Sequence, residues 1–180
     1  MTINAENRLR LKFMLLFIPV AYASYLFHEF GHWIVGEILG NDMAYNLNNV
    51  WPKNGHYIDA SHDVMVSIGG PAFTILLSLL FLLIIEKYRT MYAYPFVFFQ
   101  MFMRFFALAV GGFEKQDEAR ISAILSCGTY TIAIIVVVIL FLIVWRASHL
   151  LRIDWKRNSY FLAMSVLGEL LVIGTYKLLT

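Results

Sequence analysis

The sequence predicts an all-α polytopic membrane protein with about five transmembrane helices. Sixty per cent of the 180 residues are hydrophobic and only 14% are charged, whereas soluble domains carry roughly 25% charged residues. Val64–Ile85 has no charge over 22 residues, and Ile121–Trp145 has none over 25. Because about 20 apolar residues cross about 30 Å of hydrocarbon, we expect one membrane-embedded domain over residues 1–180, multi-pass in a bacterial cell membrane.

Three further apolar stretches complete the predicted set of spans. The first carries Glu37, the third carries Arg104 and the fifth carries Glu169. In order, the predicted spans are Phe13–Leu39, Val64–Ile85, Met91–Phe113, Ile121–Trp145 and Ser159–Tyr176. The basic N-terminal stretch and the Ala-Tyr-Ala that ends at Ala23 also fit a cleaved signal peptide. Apolar character continues to Leu39, which favours an uncleaved span.

Isolated polar residues inside the spans have structural interpretations. Arg104 and Glu169 are expected to pair with each other or to extend towards the membrane surface. Cys127, the single cysteine, is expected to pack inside the fourth span. Gly36 and Gly40 form a small-residue pair of the kind found where helices pack closely.

The longest connection, Asn41–Asp63, is polar and predicts a short β-hairpin. Asn54-Gly55 between apolar residues is a hairpin turn signal. A free strand edge there could bind an extended peptide segment by strand addition. The alternative is an ordinary surface hairpin.

The unusual residues of three segments are predicted to lie at similar depth near one membrane face. His28 follows Lys12 by 16 residues, which is about 24 Å along a helix. The second span enters from that same far side, so Gly69–Pro71 are shallow there, and Asp117 follows the third span. This convergence predicts a site.

Basic residues suggest which face that is. Nine lie on the N-terminal side of the five spans and four on the other, so the positive-inside rule makes the N-terminal side cytoplasmic. The predicted site then opens on the opposite face.

The stretch from His28 to His32 reads His-Glu-x-x-His and predicts a zinc site. Residues four apart share a helix face, so both imidazoles can bind one ion, while Glu29 can act as general base on a metal-bound water. The alternative is a pair of histidines satisfied by backbone carbonyls, with Glu29 paired to a base such as Arg104.

A catalytic zinc site needs a third protein ligand and an open position. Asp117 is the preferred candidate, and the adjacent Glu118 competes with it. His56 and His62 lie in the long loop, which we expect to be outside the membrane.

Three motifs together resemble the site-2 protease family of intramembrane metalloproteases. They are HEFGH at 28–32, GGPAFT at 69–74 and DEARI at 117–121. The resemblance implies zinc, a third-ligand aspartate at Asp117, space beside the ion opened by the Gly-Pro element, and a membrane-spanning or membrane-associated protein as substrate. Thr74 replaces the usual asparagine, Glu118 replaces a glycine, and Gly111-Gly112 stand where a proline-rich break is usual. Family members generally open towards the cytosol, which leaves the sidedness undecided.

Two other functional classes stay open. One is a non-proteolytic metal-binding membrane scaffold or transporter subunit with the same fold, and the other is a structural bundle without metal. The net charge of +2 without a basic stripe argues against a nucleic-acid partner. Membrane lipid is an expected contact throughout.

Overall fold

Five helices of the computed structural model are long and apolar enough to cross a membrane. The structure describes residues 11–110, 112, 114 and 116–179. Its elements are α1 (Leu11–Leu15), α2 (Phe17–Ile38), β1 (Met43–Asn46), β2 (Asn49–Pro52), α3 (Ser61–Tyr88), a 3-10 turn (Met91–Ala93), α4 (Tyr94–Ala109), α5 (Asp117–Leu125), α6 (Thr131–Leu151) and α7 (Trp155–Leu179). The predicted all-α membrane fold with a small hairpin is confirmed.

The predicted start of the fourth span is wrong. Residues 117–125 form the short helix α5, and the spanning helix α6 begins only at Thr131. Ser126 ends α5 in the left-handed region at φ 50°, and Gly128 follows at φ 98°. Two left-handed residues cannot continue an α-helix. Cys127 is therefore exposed in the turn between α5 and α6 and is not packed inside a span.

The third span is shorter than predicted. Its helix ends at Ala109, and Gly112 has a positive φ of 79°, a conformation that glycine adopts without the steric cost of a Cβ. Gly111, the other glycine of the predicted break, and Phe113, the predicted end of the span, lie outside the described residues. The helix α4 therefore ends at Ala109, and a connection separates it from α5, which begins at Asp117.

The hairpin forms at a different turn from the predicted one. Strands β1 and β2 pair antiparallel, with Asn46 opposite Asn49, so the turn is Leu47-Asn48. The side chain of Asn46 accepts a hydrogen bond from the Asn48 backbone N–H at 3.0 Å, which closes the turn locally. Asn54-Gly55 instead lies after β2, where Gly55 N–H donates to the Pro52 carbonyl at 3.0 Å.

Aromatic side chains pack the bundle at the end where α4 and α7 begin. Phe161 is fully buried, and its ring lies 5.6 Å from Phe17 and 5.3 Å from Tyr94 between centroids. Such offset contacts add to the area buried by each ring. The cluster joins α2, α4 and α7, and the rest of α2 is held against α3.

Candidate metal centre

Glycines bring the backbones of α2 and α3 into contact at the level of the histidines. A Cβ placed on Gly31 would lie 2.5 Å from the Gly69 carbonyl oxygen, too close for any side chain. A Cβ on Gly70 would collide with the imidazoles of His28 and His32. The Gly69-Gly70 pair therefore forms the wall against which both rings pack. Gly36 and Gly40, the small-residue pair predicted to pack helices closely, do not make this contact. Gly36 faces the Met43 side chain, and Gly40 lies just after the end of α2 with φ 85°.

Three ligand atoms from two distant helices converge on one point. Nε2 of His28 lies 3.1 Å from Oδ2 of Asp117, and Nε2 of His32 lies 3.2 Å from the same oxygen. The two Nε2 atoms are 3.2 Å apart. We call these three atoms the ligand triangle. Each residue of the triangle offers an atom of a type that binds metal ions.

Hydrogen bonds on the outer ring nitrogens assign the protonation of the imidazoles. Nδ1 of His32 lies 2.6 Å from the Val66 carbonyl oxygen, which can only accept, so this nitrogen donates. The Gly70 N–H is farther from it, at 3.3 Å. Thr74 Oγ1 donates to the Gly70 carbonyl at 3.0 Å and hence accepts from Nδ1 of His28 at 2.9 Å.

The consequence is an excess of electron pairs inside the triangle. A neutral imidazole with its hydrogen on Nδ1 has a lone pair on Nε2. Two such lone pairs and a carboxylate oxygen then meet within about 3.2 Å, and they repel each other unless positive charge lies among them. That charge can come from a metal ion, from protons on the histidines, or in part from the Arg104 guanidinium, whose Nη1 lies 3.3 Å from Nε2 of His28.

Helix α5 carries the carboxylate to the triangle. Asp117 is its first residue and its side chain is 19% exposed. Although burial alone would raise the pKa of the Asp117 carboxyl, positive charge on the neighbouring imidazoles, His32 first and then His28, holds that pKa well below its usual range. The carboxylate is therefore ionised and available to bind a cation.

Glu118, the competing candidate, has a different partner. Its carboxylate forms a bidentate ion pair with Arg104, in which Nε donates to Oε1 at 2.8 Å and Nη2 donates to Oε2. Both side chains are buried. The planar fork of the guanidinium matches a carboxylate, so Glu118 is already satisfied, whereas Asp117 is the carboxylate that reaches the histidines.

Arg104 lies beside the triangle and pairs with Glu118, so its expected pairing with Glu169 is wrong. It is 5% exposed and does not extend to the membrane surface. Its Nη1 lies 3.3 Å from Nε2 of His28 and its Nη2 lies 3.8 Å from Asp117. Glu169 instead accepts a hydrogen bond from the Tyr25 hydroxyl at 2.5 Å. An arginine inside an apolar span was the signal for a functional role.

A cavity of about 510 Å³ opens on the triangle, and we call it the site cavity. Glu29 is 6% exposed and lines this cavity together with the three triangle residues. Asn49 and Val50 of strand β2 also line the cavity, so the hairpin lies beside the candidate centre. His56 and His62 are elsewhere: Nδ1 of His56 is 3.0 Å from the Asn54 carbonyl, and His62 contacts Asn41.

Comparisons with protein-family models, with curated proteins and with solved structures each find no match to this chain. The donor atoms themselves therefore carry the functional inference.

Proposed function

We propose that this chain is an intramembrane zinc metallopeptidase, similar in chemistry to the site-2 protease family, that hydrolyses peptide bonds of membrane-spanning or membrane-associated proteins. The observation that carries the proposal is the ligand triangle, in which three lone-pair donors converge beside a buried glutamate. Such a cluster in an apolar bundle is unfavourable without a cation.

The dimensions of the triangle fit zinc. Zinc binds imidazole nitrogen and carboxylate oxygen at about 2.0–2.2 Å in a tetrahedron, which places neighbouring ligand atoms about 3.3 Å apart. The three edges here are 3.1, 3.2 and 3.2 Å. Val66 and Thr74 orient the two rings through Nδ1, as the outer partners of zinc-bound histidines do. Three protein ligands leave the fourth position for water or substrate.

Glu29 supplies the acid–base chemistry in this proposal. When bound, zinc polarises the substrate carbonyl and makes a water molecule more acidic. The Glu29 carboxylate accepts a proton from the attacking water as the new C–O bond forms. It then returns that proton to the amide nitrogen as the C–N bond breaks. Atoms and charge balance without any other reactant than water.

Arg104 and β2 would prepare the substrate. The guanidinium of Arg104 lies next to His28, where its positive charge can stabilise a developing oxyanion, while Glu118 keeps it in place. A helical substrate shields its peptide bonds and has to unwind. The edge of β2 beside the site cavity can hold the unwound segment by strand addition.

Metal content is the first test. We expect about one zinc per chain in protein purified in detergent and equilibrated with buffered zinc. His32→Ala and Asp117→Ala should lose the metal, whereas His56→Ala should keep it, because His56 is exposed and outside the triangle. A metal-free wild type would mean that protons and the Arg104 guanidinium neutralise the triangle, and the proposal would be wrong.

Cleavage is the second test, and it uses Glu29→Gln. This variant should keep zinc and abolish hydrolysis. Quantitative N-terminal proteomics of cells that express wild type or Glu29→Gln should show new termini within membrane segments only with wild type. If both proteins bind zinc and neither produces such termini, the chain is a non-proteolytic scaffold or transporter subunit.

A further inference from the structure

A large groove lies at the opposite end of the bundle from the ligand triangle, and we call it the lateral groove. It has a volume of about 1100 Å³ and runs between α4, α6 and α7. Its apolar residues include Phe98, Met101, Phe141, Val144 and Leu162. Phe141 is 56% exposed and Leu162 is 47% exposed, so the groove faces the surrounding lipid.

The lateral groove extends through one leaflet. Arg152 at the end of α6 and Phe141 deeper in the same helix are eleven residues apart, which corresponds to about 16 Å. Half of a bilayer's hydrocarbon core is about 15 Å. Trp145 and Trp155 line the same groove and belong to the aromatic residues that prefer the headgroup region.

Two basic side chains without an ion pair among the described residues rim the groove where it meets the membrane surface. Arg152, Lys156 and His149 line it, and no carboxylate does so among its lining residues. Within the part of the chain that the structure describes, neither Arg152 nor Lys156 forms an ion pair. By contrast Arg146, on the same helix as His149, is paired with Glu86 at 3.1 Å. Asp154, which lies two residues from both Arg152 and Lys156, accepts the Arg157 backbone N–H at 2.8 Å and does not line the groove.

The polar wall next to the rim consists of neutral hydrogen-bonding groups. The Tyr94 hydroxyl donates to Asn158 at 2.8 Å, and Ser148 donates to the Ile153 carbonyl at 3.3 Å. Asn158 and Ser148 line the groove, as does Ser159. Hydroxyl and amide groups beside two free cations resemble the surroundings that phosphate oxygens prefer.

We propose that the lateral groove binds one anionic phospholipid, with the phosphate between Arg152 and Lys156 and an acyl chain along Phe98, Phe141 and Leu162. Basic pockets between transmembrane helices are typical sites for acidic headgroups. A soluble anion explains the cations but not the apolar channel of leaflet length. A zwitterionic lipid explains the channel but gains little from the unpaired charges. The proposal is independent of the zinc chemistry, because the groove shares no residue with the site cavity.

The test is lipid binding by native mass spectrometry of delipidated protein, with phosphatidylglycerol and phosphatidylcholine as probes. One kcal/mol per basic residue near a membrane surface corresponds to about 5-fold, hence about 30-fold for two. Arg152→Gln/Lys156→Gln should therefore weaken phosphatidylglycerol binding about 30-fold and leave phosphatidylcholine binding unchanged. The matched control is Lys87→Gln/Arg157→Gln, which removes the same charge outside the groove and should change either affinity less than 3-fold.

A second variant tests the channel itself. Ser159→Trp places a large ring in the groove from an exposed position and should abolish binding of both lipids. Equal binding of the two lipids by wild type would overturn the proposal. So would equal weakening by the control pair, unchanged lipid binding by Ser159→Trp, or a lipid-free dimer that Ser159→Trp dissociates.

Discussion

Gly31→Ala should weaken metal binding although Gly31 offers no ligand. The added Cβ would lie 2.5 Å from the Gly69 carbonyl oxygen and 2.8 Å from Phe73 Cβ. Ordinary contact begins at 3.4 Å, so the backbones of α2 and α3 must separate by about 0.9 Å. The histidines move with α2, whereas α5, which carries Asp117, packs against α3.

That displacement is large for a zinc site. Ligand distances are held to about 0.2 Å, so a shift of about 0.9 Å cannot be absorbed without strain. Overpacking of this kind costs roughly 1–3 kcal/mol. If metal binding has to restore the close approach, the zinc affinity falls roughly 5- to 150-fold.

A chelator competition assay on detergent-purified protein measures this loss. Gly174→Ala is the control, because a Cβ there meets nothing within 4 Å and alanine favours the helix by roughly 0.5–1 kcal/mol. Gly174→Ala should bind zinc like wild type. Should Gly31→Ala bind as tightly as Gly174→Ala, the close α2–α3 contact does not hold the triangle in shape.

Three other outcomes are expected. Thr74→Val removes the acceptor for Nδ1 of His28 and should weaken zinc binding about 10- to 100-fold in the same competition assay. Ser78→Ala is the control, because it loses only a hydrogen bond to the Thr74 carbonyl and should bind zinc like wild type. Equal zinc affinities of Thr74→Val and Ser78→Ala would exclude an orienting role for Thr74. Arg104→Met leaves Glu118 buried and unpaired and should cost about 3–5 kcal/mol in detergent unfolding; Arg104→Met/Glu118→Met should recover most of it, and the absence of recovery would contradict the pairing. Cys127 should react with a membrane-impermeant maleimide without denaturant, because it is exposed in the turn after α5. Labelling only after unfolding would mean that Cys127 is buried within a span. Labelling of intact cells would show on which side of the membrane the turn lies.

The membrane architecture could be predicted because a long uncharged apolar stretch is rarely stable outside a lipid bilayer. Four predicted spans match helices of the structure within a few residues at each described end. The predicted start of the fourth span was wrong because Ser126 adopts a left-handed conformation, and a serine within an apolar stretch gives no sign of this in the sequence. The hairpin turn was misplaced for a similar reason, since Asn46 closes the turn at Leu47-Asn48 through its side chain, whereas Asn-Gly is the stronger signal in sequence.

The sequence could predict the three residues of the ligand triangle, but it could not predict the residues that hold them in place. His28 and His32 follow from helical spacing, and Asp117 follows from depth and from the family resemblance. Arg104 and Glu118 lie 14 residues apart on two different helices, and only the tertiary fold brings a guanidinium to that carboxylate. The same holds for Val66, whose backbone carbonyl orients His32, because no side-chain pattern marks a carbonyl.

The short α5 has a kinetic consequence. It crosses no membrane, and residues with positive φ flank it at Gly112 and at Ser126. The two imidazoles lie four residues apart on α2, so they stay together as long as that helix is intact. Opening the triangle therefore requires α5 to move, which also breaks the buried Arg104–Glu118 ion pair, and we expect exchange of any bound ion to be slow and to follow the rate of that motion.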